Sequence, residues 1–142
     1  MEYKQLYNVD DDVLITLYPS VLRLEVKGDF VQNYQLDAVS FTIIFLLCAS
    51  RPDLVTYKEL IEILRSVGIP LDNAKELDSF IHILQKKLSS YRVKHFIVHV
   101  KKKGYGISKN WVDPIEAKKR TRRLMHYVKK IYSLVNTSTN NS

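Results

Sequence analysis

The sequence predicts an α+β fold: a small N-terminal antiparallel sheet, three helices, a C-terminal β-hairpin and one extra C-terminal helix. Three observations carry the prediction. Leu22, Leu24 and Val26 alternate with Val21, Arg23 and Glu25, the two-residue period of a half-buried strand. Residues 38–66 hold two apolar segments, each preceded by a residue suited to capping a helix. Residues 75–107, KELDSFIHILQKKLSSYRVKHFIVHVKKKGYGI, then change period part-way along. Leu77, Ile81, Leu84 and Leu88 share one helix face, after which Phe96, Val98 and Val100 alternate with Ile97, His99 and Lys101.

Taken in order, residues 1–12 end in Asp10-Asp11-Asp12 and show no period, which predicts a solvated N-terminal arm. Residues 13–17 and 21–26 read as strands separated by Pro19-Ser20, and Gly28-Asp29 turns the chain into a third strand at 30–36. Asp37 is placed to cap a first helix at 38–50, apolar nearly all round and therefore central and buried. Pro52 ends it. Thr56-Tyr57-Lys58-Glu59 is a capping-box pattern for a second helix with Leu60, Ile61 and Leu64 inward, closed by Gly68 and Pro70. Asp72-Asn73 opens a third helix at about 74–90. Lys102-Lys103-Gly104 turns one hairpin strand into the next, with Gly104 as the expected positive-φ position and Tyr105 packing back on the core.

Composition narrows the function. At 142 residues, 46% of them apolar, the chain makes one domain with a tail. The most apolar run, 39–49, is too short to span a bilayer and too far from the start for a signal peptide. One cysteine, Cys48, excludes an internal disulfide and a cysteine cluster for zinc, and its apolar setting predicts packing rather than reactivity. A cytoplasmic protein follows. The net charge of +7 is unevenly spread: residues 1–80 carry 7 Lys/Arg against 13 Asp/Glu, residues 81–142 carry 15 against 2. A polyanion facing the second half is the natural partner.

Three helices followed by a two-stranded hairpin is the element order of a winged helix-turn-helix. The residues agree. LDAVSFTIIFLLCASRPDLVTYKELIEIL, from Leu36 to Leu64, resembles the first two helices of the OmpR/PhoB-type winged-helix DNA-binding domains. Leu77-Asp78, Ile81, Leu84 and Lys86-Lys87-Leu88 follow that family's recognition-helix pattern, and VKKKGY at 100–105 resembles its wing, especially in the ToxR/CadC-like branch. The resemblance covers roughly residues 13–108. It implies a bacterial, nucleoid-associated transcriptional regulator that binds promoter DNA, here without the receiver domain or membrane anchor of relatives. It also implies contact with RNA polymerase through the loop that opens at Ser66 and closes at Asn73. The chain departs from the pattern where relatives place arginines, which are Ile83 and Gln85 here. Phe80 replaces the usual histidine and Ser40 the acid of the first helix.

On the third helix Lys75, Ser79, His82 and Lys86 lie opposite the apolar face, with Asp78 and Gln85 on a flank. Lys75 and Lys86 suit phosphates, while Ser79, His82 and Gln85 have the chemistry to read base edges. Ile83 is placed to pack on thymine methyls or to join a protein interface. Lys101, Lys102 and Lys103 put three ammonium groups on one tight turn, suited to the minor groove or its flanking phosphates. The expected organisation is an arm (1–12), a winged-helix domain (13–109), a basic amphipathic helix (110–135) and a disordered polar tail (136–142).

Asp113-Pro114-Ile115-Glu116 is a strong helix start. In the helix that follows, Leu124, Val128, Ile131 and Val135 form a stripe, with Tyr127 and Leu134 beside it. Docking on the domain, pairing with a second copy and receiving another protein are all open ways to bury that stripe. Lys118, Lys119, Arg120, Arg122 and Arg123 cluster at its start and would extend a DNA footprint. An anionic membrane is the least favoured partner.

The four histidines make no metal-ligand spacing, and the sequence has neither a Gly-rich phosphate loop nor a GxSxG motif, so an enzyme is not expected and no cofactor is implied. The leading expectation is a regulator of double-stranded DNA. The alternative is a degenerate winged-helix interaction module, a co-regulator or dimerisation partner that has lost base reading.

Overall fold

The computed structural model describes residues 3–140, with side chains through residue 136. The elements are β1 (Lys4–Asn8), β2 (Val13–Tyr18), β3 (Arg23–Lys27), β4 (Val31–Gln35), α1 (Ala38–Ser50), β5 (Val55–Thr56), α2 (Tyr57–Ser66), α3 (Ala74–Ser90), β6 (Ile97–Val100), β7 (Gly104–Ile107), β8 (Trp111–Val112) and α4 (Pro114–Asn140). A five-stranded sheet runs β4-β3-β2-β1-β8, and a three-stranded sheet runs β5-β7-β6.

The N-terminal segment is a strand, where a solvated arm was expected. Residues 4–8 pair with β2 in register from Lys4 opposite Leu17 to Asn8 opposite Val13. Only Leu6 signals burial in this segment, so no alternation is visible in the sequence. Asn8 is buried as well, and its side-chain oxygen accepts the backbone N–H groups of Asp10 and Asp11. The acidic triplet is thereby the turn between β1 and β2, with Asp12 at positive φ and accepting from the Tyr7 hydroxyl.

β1 also pairs with β8, Asn8 opposite Trp111, so the chain returns after the hairpin to extend the first sheet. Trp111 is fully buried, with its indole N–H donating to the Lys94 carbonyl (3.0 Å) and its ring edge-on to Phe96 (5.3 Å). Burying an indole requires such an acceptor, which explains its place at the seam.

The helices begin where their capping residues predict. Asp37 accepts from the Ser40 N–H, Thr56 and Glu59 complete a reciprocal capping box, and Asn73 accepts from the Glu76 N–H. α1 is the hub of the core, with Phe41, Ile43, Ile44, Leu47 and Cys48 buried. Burial pushes the Cys48 thiol up to about 12, leaving it a packed apolar group at neutral pH. α4 continues to Asn140, past the expected end near Val135, and only residues 141–142 of the tail lie outside the described region.

Partial burial pushes the Asp37 carboxyl upward, but hydrogen bonds from Ser40 and the nearby Lys87 outweigh it and hold the group below its ordinary value. Because the folded value is lowered, the stabilisation is present above the unfolded carboxylate range and is lost as pH falls through the folded one. Asp37→Ala should cost about 1 kcal/mol in urea denaturation at neutral pH. The difference from wild type should shrink as the buffer is taken down through the carboxylate range.

Candidate nucleic-acid interface

α3 presents two contrasting faces. Leu77, Ile81, Leu84 and Leu88 are buried to 4% exposure or less, and their burial leaves Lys75, Ser79, His82 and Lys86 exposed on the other side. Ile83 stands among these polar groups at 67% exposure. The N-terminus of α3 is held at both ends of a reciprocal pair: Asn73 caps Glu76 N–H, and the Glu76 carboxylate accepts from Asp72 N–H at 3.0 Å.

Gln85 departs from the expected base-reading role. Its side-chain oxygen accepts from the Ile97 N–H (2.9 Å), and its amide donates to Ser89 (3.2 Å). The start of β6 passes close to α3 there and leaves a half-buried amide that needs an acceptor. Gln85 therefore fastens the hairpin to the helix.

A second fastening lies further along. Tyr105 is buried, and its hydroxyl donates to the Asp78 carboxylate. The His99 ring stacks on Tyr105 (4.6 Å between centroids), its Nε2 is hydrogen-bonded to the Tyr57 hydroxyl and lies 3.8 Å from Asp78. Tyr57 meets Tyr105 edge-on at 5.5 Å. α2, α3 and both hairpin strands thus converge on one aromatic and carboxylate knot. Passing from Ile97 to His99 along β6 corresponds to passing from Gln85 back to Asp78 along α3. The hairpin consequently runs toward the N-terminal half of α3.

The face of β6 that meets the body is the one carrying Ile97 and His99. Ile97 packs against the core, while Val98 is exposed, so the expected apolar face of Phe96, Val98 and Val100 does not form as one surface. The positive-φ residue of the turn is Lys102 (φ 67°), where Gly104 was expected. Gly104 is required for a different reason: a Cβ there would lie 2.1 Å from the Val55 carbonyl oxygen, because β5 pairs directly with β7. That close approach depends on a strand, β5, with no signal of its own in the sequence.

Lys101, Lys102 and Lys103 are all exposed at the turn. Lys102 and Lys103 line one cleft with Thr56, Tyr57 and Lys58 at the start of α2. Lys58 is a basic contributor the sequence reading missed, since it becomes visible only when β5 brings α2 beside the hairpin. Arg92 and Lys94 instead line a cleft with Asp11, Asp12 and Asp29, where acid balances them. From Lys118 to Asn136 every residue of α4 is exposed, including Lys118, Lys119, Arg120, Arg122 and Arg123. Among the described residues no group of three His, Cys, Asp or Glu side chains is placed to hold a metal ion. No helix among them is long and apolar enough to cross a membrane.

The fastenings and the turn set three stability predictions. Asp78→Ala leaves the buried Tyr105 hydroxyl without its acceptor and should cost about 1–3 kcal/mol, whereas Tyr105→Phe should cost only about 0.5–1.5 kcal/mol. Urea denaturation of both variants and their double mutant separates the two. Gly104→Ala should be the more damaging change, by about 2 kcal/mol or more, because backbone must move to admit the methyl group. Lys102→Gly should instead raise the melting temperature slightly by relieving a left-handed lysine.

No protein-family model and no curated protein sequence matches the chain. Among solved structures, it resembles the DNA-binding domain of the response regulator AdeR, crystallised in complex with an intercistronic region. The two superpose with a TM-score of 0.58 over 67% of this chain and 94% of that one, at 17% identity. At such low identity the likeness is one of architecture, and the architecture is the winged-helix fold of that domain.

Proposed function

We propose that this chain is a transcriptional regulator of the OmpR/PhoB type that binds duplex promoter DNA. One observation carries the reading: α3 keeps a polar face bare beside a hairpin tipped with three exposed lysines, in the fold of a domain crystallised on an intercistronic region. In this reading Ser79 and His82 meet base edges in the major groove, and Lys75 and Lys86 hold phosphates on either side. Ile83 packs on thymine methyls. Lys101, Lys102 and Lys103, with Lys58 behind them, meet the minor groove or the backbone as point charges. Gln85, Asp78, Tyr105 and His99 act as positioning residues that set the angle between hairpin and helix.

The protein so read is bacterial, cytoplasmic and nucleoid-associated, and carries no catalytic activity. The loop between α2 and α3, held by Arg65 donating to the Leu71 and Asp72 carbonyls, is the surface offered to RNA polymerase. Two observations favour a second reading, an interaction module without base recognition: Ile83 is two-thirds exposed, and Gln85 is half-buried with its amide group hydrogen-bonded to Ile97 and Ser89.

Selection from a mixed pool of short duplexes at low and moderate salt distinguishes the two. Regulator function predicts salt-sensitive binding with enrichment of particular sequences. Lys101→Ala/Lys102→Ala/Lys103→Ala should flatten the slope of log K against log salt by about 3 and weaken all sequences alike. His82→Ala should relax enrichment while leaving that slope nearly unchanged. Absence of binding at low salt would reject the DNA reading.

A further inference from the structure

α4 flanks the first sheet through Arg122, where Pro114, Ala117, Lys118, Thr121 and Arg122 line a cleft with Gln5, Tyr7 and Asp12, and further on it carries an exposed apolar face. Asp113 caps it, accepting from the Ile115 N–H at 2.7 Å, and Ala117 is the last residue with partial burial before Asn136. From Lys118 to Asn136 the side chains are exposed, so burial adds little to the stability of this part of the helix. Its charges oppose it too, because Lys118 with Arg122 and Lys119 with Arg123 are like-charged pairs four residues apart.

The apolar residues follow a coiled-coil rhythm. Leu124, Val128, Ile131 and Val135 are spaced four, three and four, which defines a seam. The positions flanking that seam, where charged residues would select or repel a partner, are Met125 and Tyr132 on one side and Tyr127 and Leu134 on the other. Lys129 and Lys130 lie on the outer surface. These eight apolar residues are 41–65% exposed. They leave on the order of 800–900 Å² open, against roughly 300–600 Å² for the largest patch of a typical monomer. Roughly 800 Å² per partner is what a standard stable interface takes.

We infer that α4 is a self-association helix whose seam is covered by the same seam of a second copy, running antiparallel. The arrangement is symmetric about the Lys129–Lys130 bond, setting Leu124 against Val135 of the second copy and Val128 against its Ile131. Charge decides the direction. Parallel pairing would bring the two Lys118–Arg123 clusters within roughly one helix–helix spacing, about 8–10 Å. Antiparallel pairing separates them by about 27 Å along the axis, several times the roughly 8 Å screening length of physiological salt. Both clusters then stay free for a polyanion. DNA alone would occupy the basic arc and leave the apolar arc open.

The experiment uses the full chain without DNA, so its outcome is independent of the regulator reading. Sedimentation equilibrium should give a dimer that persists as salt is raised. Ile131→Asp should weaken association at least about a hundredfold while leaving Trp111 fluorescence and thermal unfolding of the domain unchanged. Under mild oxidation Leu124→Cys/Val135→Cys should form an interchain disulfide and Leu124→Cys alone should not, because self-paired positions 124 would be too far apart. A monomeric wild type overturns the inference, and flotation of that monomer with anionic vesicles would assign the face to a lipid surface. Efficient cross-linking of Leu124→Cys alone would overturn the antiparallel pairing.

Discussion

The hydrogen bond from the buried Tyr105 hydroxyl to Asp78 is the constraint on which the geometry of the basic surface depends. A phenol that is 1% exposed must place its polar atom on an acceptor, and the acceptor available is a carboxylate on the flank of α3. Satisfying it holds β7 against the helix. β7 then fits between β5 and β6 because glycine at 104 lets the Val55 carbonyl approach. With β7 placed, the turn carrying the lysines has little choice of direction, and Gln85 repeats the restraint nearer the base of the hairpin. Acid and base are divided along the same lines: Asp78 accepts from Tyr105, and Lys101, Lys102 and Lys103 stand exposed at the turn.

The N-terminal sheet has a different part. It buries one side of α1 and, through β8 and Trp111, receives the chain after the hairpin. The start of α4 is set by that return, since Asp113 follows β8 directly. The direction in which the basic helix leaves the body is therefore decided by pairing between Asn8 and Trp111, residues a hundred positions apart. α3, the hairpin and α4 are all positioned by contacts between residues distant in sequence, each closed by one polar side chain: Asp78, Gln85 or Asn8.

Local physics left strong marks in the sequence. The caps at Asp37, Thr56 and Asn73, the buried face of α3, the chain turn at the lysines and the start of α4 involve residues within one or two turns of each other. Their patterns were accordingly legible, as was the concentration of positive charge in the second half. Elements whose only justification is a distant partner were not. β1 has one strongly apolar residue, β5 and β8 have two residues each, and none shows a period because each is stabilised by the strand beside it.

Sequence by itself thus determined the order of helices and hairpin, the capped ends, the core-facing residues of the first three helices and the placement of charge, because each follows from spacing along the chain. Tertiary structure alone decided that Gln85 bonds to the hairpin, that Gly104 is needed for clearance rather than for φ, that Lys58 joins the lysines of the turn and that the apolar stripe of α4 is exposed. Each of these depends on which backbone passes within hydrogen-bonding or van der Waals reach of a side chain. Such distances are set by strand pairing across the whole chain, and no local pattern encodes them.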